Sequence, residues 1–204
     1  RAVCDVPTNS LNNTFAFLYK KVITEHYVES VLGALQSEES YKRFPKDEEF
    51  KERIQNKDLY NFKSRKYWLR KMENVGRKKE AVEIEDYTIE HIMPQNKNLS
   101  DEWRVALGDN FELVQEKYIH TLGNLTLTGY NSELSDRPFL EKRDMEGGFA
   151  DSPIRLNHDL ANVDIWNKEA IKDRANKLSD LAVNIWTYKE VPSKFIVKKE
   201  KPIS

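Results

Sequence analysis

The sequence predicts a mostly helical α+β domain, with a small strand–loop–strand–helix unit inserted among flanking helices. Three observations carry that expectation. Ile171, Ala175, Leu178, Leu181, Ala182, Ile185 and Trp186 form one apolar stripe at helical spacing, as a helix laid on a core requires. Two short stretches, Tyr87 to Ile92 and His120 to Thr128, are strand-prone, the second alternating Leu125 and Leu127 with Thr126 and Thr128. The chain is 39% hydrophobic with only seven Gly and seven Pro, an ordinary composition for a packed domain rather than a disordered or fibrous one.

The elements follow in order. Phe15, Leu18, Val22, Tyr27, Val31 and Leu35 recur at roughly helical spacing and predict a helix across Thr14 to Leu35. Lys46 to Ile54 reads as a short charged helix and Ser64 to Val75 as another, with Gly76 placed to end it. Charged residues from Arg77 to Glu85 lead to the first strand, which Pro94 stops. Ser100 before Asp101 and Glu102 is a helix start: a hydroxyl cap with acidic residues in the first turn. Asp136-Arg137-Pro138 opens a helix through Arg143, broken by Gly147 and Gly148. The last helix spans about Ile165 to Trp186, and Trp103, Trp166 and Trp186 read as core or half-buried packing residues. This divides the chain into an N-terminal helical region (1–80), a region carrying the strands and the long helix (81–190), and a Lys-rich tail (191–204).

The formal net charge of −1 gives no global attraction to nucleic acid. Local patterning does: Lys63, Arg65, Lys66, Arg70, Lys71, Arg77, Lys78 and Lys79 are opposed only by Glu73, with Tyr67 and Trp68 among them. Such a run can neutralise phosphates, or it can be the solvated face of a helix whose apolar side is Trp68, Leu69 and Met72. No apolar run reaches the length of about 20 residues that a membrane span needs, and no signal segment opens the chain. Cys4 alone excludes an internal disulfide and a Cys-based zinc site, and fits a cytoplasmic protein. Because the sequence opens at Arg1 without methionine, we expect a fragment of a longer polypeptide.

The informative residues are Glu90-His-Ile-Met-Pro-Gln95, Gly123-Asn-Leu-Thr-Leu-Thr128 and Asn131. Phosphodiester hydrolysis needs a base that deprotonates water near neutral pH, and histidine is the obvious side chain. It also needs charge on the phosphate and leaving oxygen neutralised, which a hard divalent cation on oxygen ligands supplies. Glu90, His91, Asn124 and Asn131 can fill those roles within one compact unit. One carboxylate and neutral amide oxygens suit Mg²⁺, which keeps several waters and few protein ligands; Mn²⁺ is an alternative. Glu90 and His91 are adjacent, so they can share a site only where the strand twists or ends. His120 reads as structural rather than as a second base.

Glu-His-Ile-Met-Pro-Gln resembles the first-strand signature of HNH (His-Me finger) nucleases, and Gly-Asn-Leu-Thr-Leu-Thr with a following Asn resembles the rest of that finger. Together with Asn131-Ser-Glu-Leu-Ser and Pro-Phe-x-Glu-Lys-Arg, the set is similar to the C-terminal nuclease domain of GmrSD-type modification-dependent restriction enzymes. Phosphorothioate-sensing SspE anti-phage proteins are similar too. The resemblance runs from about Tyr87 to Arg143, weaker through the Trp186 helix. It implies an HNH ββα-metal finger acting as a DNA endonuclease or nickase, preceded by a nucleotide-handling domain of the same polypeptide. His91 falls on the general base, Glu90 and Asn131 on metal ligands, and Asn124 on the residue that steadies the histidine. Lys142 and Arg143 fall where substrate phosphate is held. Glu90 stands where many of these enzymes carry Asp, and no structural zinc is expected. An RNase, or a binding module that keeps the finger without cutting, are the alternatives.

Overall fold

A computed structural model describes residues 1–79 and 81–197. The chain forms two compact units, Arg1–Arg53 with the chain from Trp186 onward, and Ile54–Ile185. The part of the Lys-rich tail beyond residue 197 lies outside the described residues.

The first unit holds α1 (Leu11–Leu18), α2 (Tyr27–Gln36) and most of α3 (Asp47–Asn56). The single helix expected from Thr14 to Leu35 is therefore two. Val22 and Ile23 take extended backbone between them. The Ser30 hydroxyl accepts from Ile23 N–H at 3.0 Å, supplying a bond that a continuous helix would have made internally. Phe15 and Tyr27, counted toward an apolar stripe, are 53% and 62% exposed.

The second unit carries the candidate site. It opens with α4 (Arg65–Asn74), stopped where Gly76 takes φ +75°, a conformation cheap only for glycine. Next come β1 (Thr88–His91), α5 (Asp101–Leu107), α6 (Phe111–Tyr118) and β2 (Leu125–Thr128), then α7 (Asn131–Leu134), α8 (Phe139–Asp144), α9 (Arg155–His158) and α10 (Lys168–Ile185). Ser100 caps α5 as its sequence predicts, accepting from Trp103 N–H. Pro138 sits one residue before α8 rather than in its first turn.

β1 and β2 form a two-stranded antiparallel sheet with Thr88 opposite Thr128, Ile89 opposite Leu127, Glu90 opposite Thr126 and His91 opposite Leu125. The strands are joined by residues 92–124, so α5 and α6 lie within the connection. All four β2 residues are buried. The fold is thus α+β and mostly helical. The second strand is shorter than the sequence suggested, because Leu122–Asn124 form a 3-10 turn first.

The core between these elements gathers Ile92, Met93, Trp103, Leu134, Phe139, Phe149, Trp166 and Ile171. Phe139 stacks on Trp166 with centroids 5.2 Å apart. The α10 stripe meets the turn before β2 at very close range: a Cβ on Gly123 would lie 2.2 Å from the Ile171 carbonyl oxygen. Glycine at 123 is therefore a packing requirement. No described helix is long and apolar enough to cross a membrane.

Candidate functional site

β1 ends at His91, and the chain then turns through Ile92 and Met93 to Pro94. That ending lets neighbouring residues, which a continuing strand would send to opposite faces, share one cleft. A cleft of about 320 Å³ is lined by Glu90, His91 and Asn131, with Tyr60, Gln95 and Asp136 among the other walls.

His91 is 4% exposed. Its Nε2 lies 3.0 Å from His120 Nδ1, so its Nδ1 is the ring nitrogen outside that bond. Tyr60 stacks on the His120 ring with centroids 5.1 Å apart and meets the His91 ring edge-on at 4.4 Å. The His120 carbonyl accepts from Leu59 N–H, which fixes the Tyr60 loop against both rings. Burial, then the neighbouring His120 and Lys142, lower the His91 pKa from 6.5 to about 3, opposed by Asp58. The imidazole is neutral at physiological pH.

This has a measurable consequence. Between pH 6.5 and about 3 an unfolded chain takes a proton on His91 that the folded chain refuses, so stability present above pH 6.5 is lost on acidification. The expected loss from this group is about 1.4 kcal/mol per pH unit across that window. Urea unfolding at pH 6.5 and 5.5 checks it: a His91→Phe chain should show a correspondingly smaller acid loss, and equal losses would refute a buried neutral ring.

Glu90 and Lys142 are both buried and joined by an ion pair of 2.6 Å. Lys142 Nζ also donates to the His91 carbonyl at 3.0 Å. Burial raises the Glu90 pKa against the pull of Lys142, and burial lowers the Lys142 pKa against the pull of Glu90. The expectation that Lys142 holds substrate phosphate does not fit this placement. A fully buried ammonium already shared between a carboxylate and a carbonyl instead fixes Glu90 at the cleft wall. Arg143 lies outside the cleft lining as well, with its guanidinium on Asp144, Asp164 and the Val163 carbonyl.

Asn131 opens α7, and its amide nitrogen donates to Ile89 O and Thr88 Oγ1, both at 3.0 Å. That orients the amide from β1 and leaves Oδ1 as its other polar atom. Asn124 is completely buried and does not line the cleft. Its Nδ2 donates to Met93 O and Ile119 O, and its Oδ1 accepts from Met93 N–H and Trp166 Nε1. All its side-chain hydrogen-bonding capacity is used, and two of the four bonds clamp Met93, two residues after His91. The ring itself is touched by His120, which the sequence reading took as structural.

Two lining residues were missed in the sequence. Asp136 contributes a second carboxylate, with Oδ2 bonded to Asn96. Tyr60 lies far upstream of the motif, in a segment with no periodic signal. The Ser-Asp-Arg-Pro stretch could have flagged Asp136, but its best sequence explanation is a helix start.

No group of three or more His, Cys, Asp or Glu side chains is set to hold a metal among the described residues. The cleft nonetheless offers two carboxylates, Glu90 and Asp136, and the Asn131 amide oxygen, a hard-oxygen set without thiolate. Such a set fits a cation that keeps most of its water, with Glu90 shared between it and Lys142.

The two-stranded sheet thus carries a histidine and a carboxylate, and a helix opening on Asn131 follows it at once. A family model described as the C-terminal domain of GmrSD restriction endonucleases matches residues 44–181. The chain belongs to this family. No curated protein matches it.

Proposed function

We propose that this chain is the DNA-cutting domain of a modification-dependent restriction or anti-phage protein, working in the cytoplasm as an HNH-type endonuclease or nickase. The observation that carries the reading is the convergence of Glu90, His91 and Asn131 on one cleft. Family membership supports it. An N-terminal nucleotide-handling domain of the same polypeptide would control it.

His91 is the base. In the tautomer whose Nε2–H donates to His120 Nδ1, the lone pair on Nδ1 takes a proton from water, and the resulting hydroxide attacks phosphorus in line with the leaving oxygen. The P–O bond opposite breaks, and that oxygen takes up a proton. Neutrality at physiological pH keeps the lone pair available. His120 and Tyr60 hold the ring in one orientation, as a supporting layer does for a catalytic imidazole. Asn124 fixes the turn that follows. Glu90, Asn131 and Asp136 would hold the divalent cation, Mg²⁺ or Mn²⁺. Bound there, the ion supplies neutralisation of charge on the phosphate and leaving oxygen.

The test uses supercoiled plasmid with Mg²⁺ or Mn²⁺, and wild type beside His91→Ala. The substitution is expected to slow nicking at least about 100-fold, the lower end of what a general base contributes. Equal nicking by the two proteins, with contamination excluded, would remove His91 from the mechanism. A parallel RNA digest separates DNA cutting from the RNase alternative.

A further inference from the structure

The basic run Lys63 to Lys79 is not uniform once folded. On and near α4, Lys66 pairs with Glu85 at 3.8 Å and Arg70 with Glu83 at 3.3 Å. After Gly76 the situation reverses. Arg77, Lys78, Lys79 and Arg155 line a separate cleft of about 430 Å³, which shares no lining residue with the His91 cleft.

One carboxylate underlies these four cations. Glu73 is fully buried and accepts from Arg77 Nη2 at 2.9 Å and from the backbone N–H groups of Arg155 and Leu156, each at 3.1 Å. It therefore locks the turn to the start of α9 and offsets a single positive charge. Arg155 spends one nitrogen on the Val75 carbonyl, at 3.0 Å. Arg77 Nε is buried without an acceptor among the described residues. Lys78 and Lys79 are exposed and have no ion-pair partner among the described residues. Gly76 also lines the cleft, and no described residue lies within 4 Å of where its Cβ would be. The result is a fixed concavity with unspent guanidinium and ammonium donors, suited to oxyanions with several acceptor oxygens.

We propose that this turn binds phosphate, and specifically the phosphates of a DNA backbone outside the cleavage cleft. Among the described residues the lining contains no aromatic ring on which a base could stack, which favours backbone phosphate over a free nucleotide. The contact would anchor duplex independently of its sequence. It does not rest on His91 cutting DNA.

Fluorescence anisotropy of a labelled duplex in EDTA, titrated with salt, tests this without cleavage. Lys78→Ala/Lys79→Ala is compared with Lys66→Ala/Arg70→Ala, which removes the same net charge from already paired positions. Losing two phosphate contacts should flatten the slope of log affinity against log salt by about 1.8, with Lys66→Ala/Arg70→Ala changing it by less than half as much. Lys78→Arg/Lys79→Arg should retain the wild-type slope. Equal slopes for the two alanine pairs would overturn the proposal. It would also fall if the DNA slope stayed unchanged while ATP raised the wild-type melting temperature and not that of the Lys78→Ala/Lys79→Ala chain, for the site would then belong to a nucleotide.

Discussion

Replacing Lys142 with methionine is expected to cost the fold about 3–5 kcal/mol at neutral pH, the usual penalty for stripping one partner from a buried ion pair. Methionine fills a similar volume, so little of that cost comes from an empty cavity. The cost arises at Glu90, which is 4% exposed and would be left as a carboxylate in the interior without its ammonium. Two further results separate this explanation from simple repacking. The loss should shrink on acidification, because the unpaired Glu90 can then escape by taking a proton, and its pKa is already raised by burial. Glu90→Gln/Lys142→Met should recover most of the stability, since the orphaned charge is gone. That double variant should remain inactive on plasmid, because Glu90 lines the cleft. Urea unfolding of the single and double variants measures all of this. A Lys142→Met chain within about 1 kcal/mol of wild type would mean the pair does not hold the cleft wall.

Arg174→Met is the second large effect, expected at about 4 kcal/mol or more, a size reserved for broken buried networks. Arg174 lies inside α10 and is 4% exposed, and no carboxylate pairs with it at short range among the described residues. Its Nη1 donates to the carbonyls of Leu122, Gly123 and Leu125, and its Nη2 to that of Leu156. Burial pulls its pKa down to about 10, so it stays charged at neutral pH and four peptide dipoles do the compensating. Methionine leaves those carbonyls short of a donor, each at a cost of roughly 1–3 kcal/mol where no other donor reaches it. Arg174→Lys, with three donors on a shorter reach, should fall between the two. Chemical denaturation decides: a small loss for Arg174→Met would show that the turn before β2 stands without it. Because that turn carries Asn124, the clamp on the chain after His91, the variant should also lose nicking activity.

How much of this could be read in advance differs by residue. The strands were legible because Thr88, Ile89, Leu125 and Leu127 report their own preference, and Pro94 marks an end. The α10 stripe and the stop at Gly76 were legible for the same local reasons. The break between α1 and α2 was not, because the spacing of apolar residues runs on across Val22 and Ile23 while the backbone does not. At the site, Glu90, His91, Asn124 and Asn131 stood out as a set, yet only the fold shows that Asn124 lies outside the cleft and which groups surround the other three. Lys142 was expected to hold substrate phosphate, and only the fold brings it to Glu90, 52 positions away. His120 and Tyr60 acquire meaning from a contact between segments with no shared periodicity. The basic run looked continuous because Glu83 and Glu85, which neutralise part of it, follow in an irregular segment.

The connection between the strands also bears on how the protein comes to exist. A tight hairpin can close early and locally, but here residues 92–124 must be gathered before β1 meets β2. By loop-closure entropy alone, bringing such distant ends together costs about 2 kcal/mol more than closing a four-residue turn. Pairing of the strands therefore carries an entropic cost that a hairpin would not, offset by the burial of Trp103, Leu107, Val114 and Tyr118 from α5 and α6 in the core. The cleft lined by Glu90, His91 and Asn131 is built on a paired sheet, and a nascent chain halted before Leu125 has no sheet on which to build it.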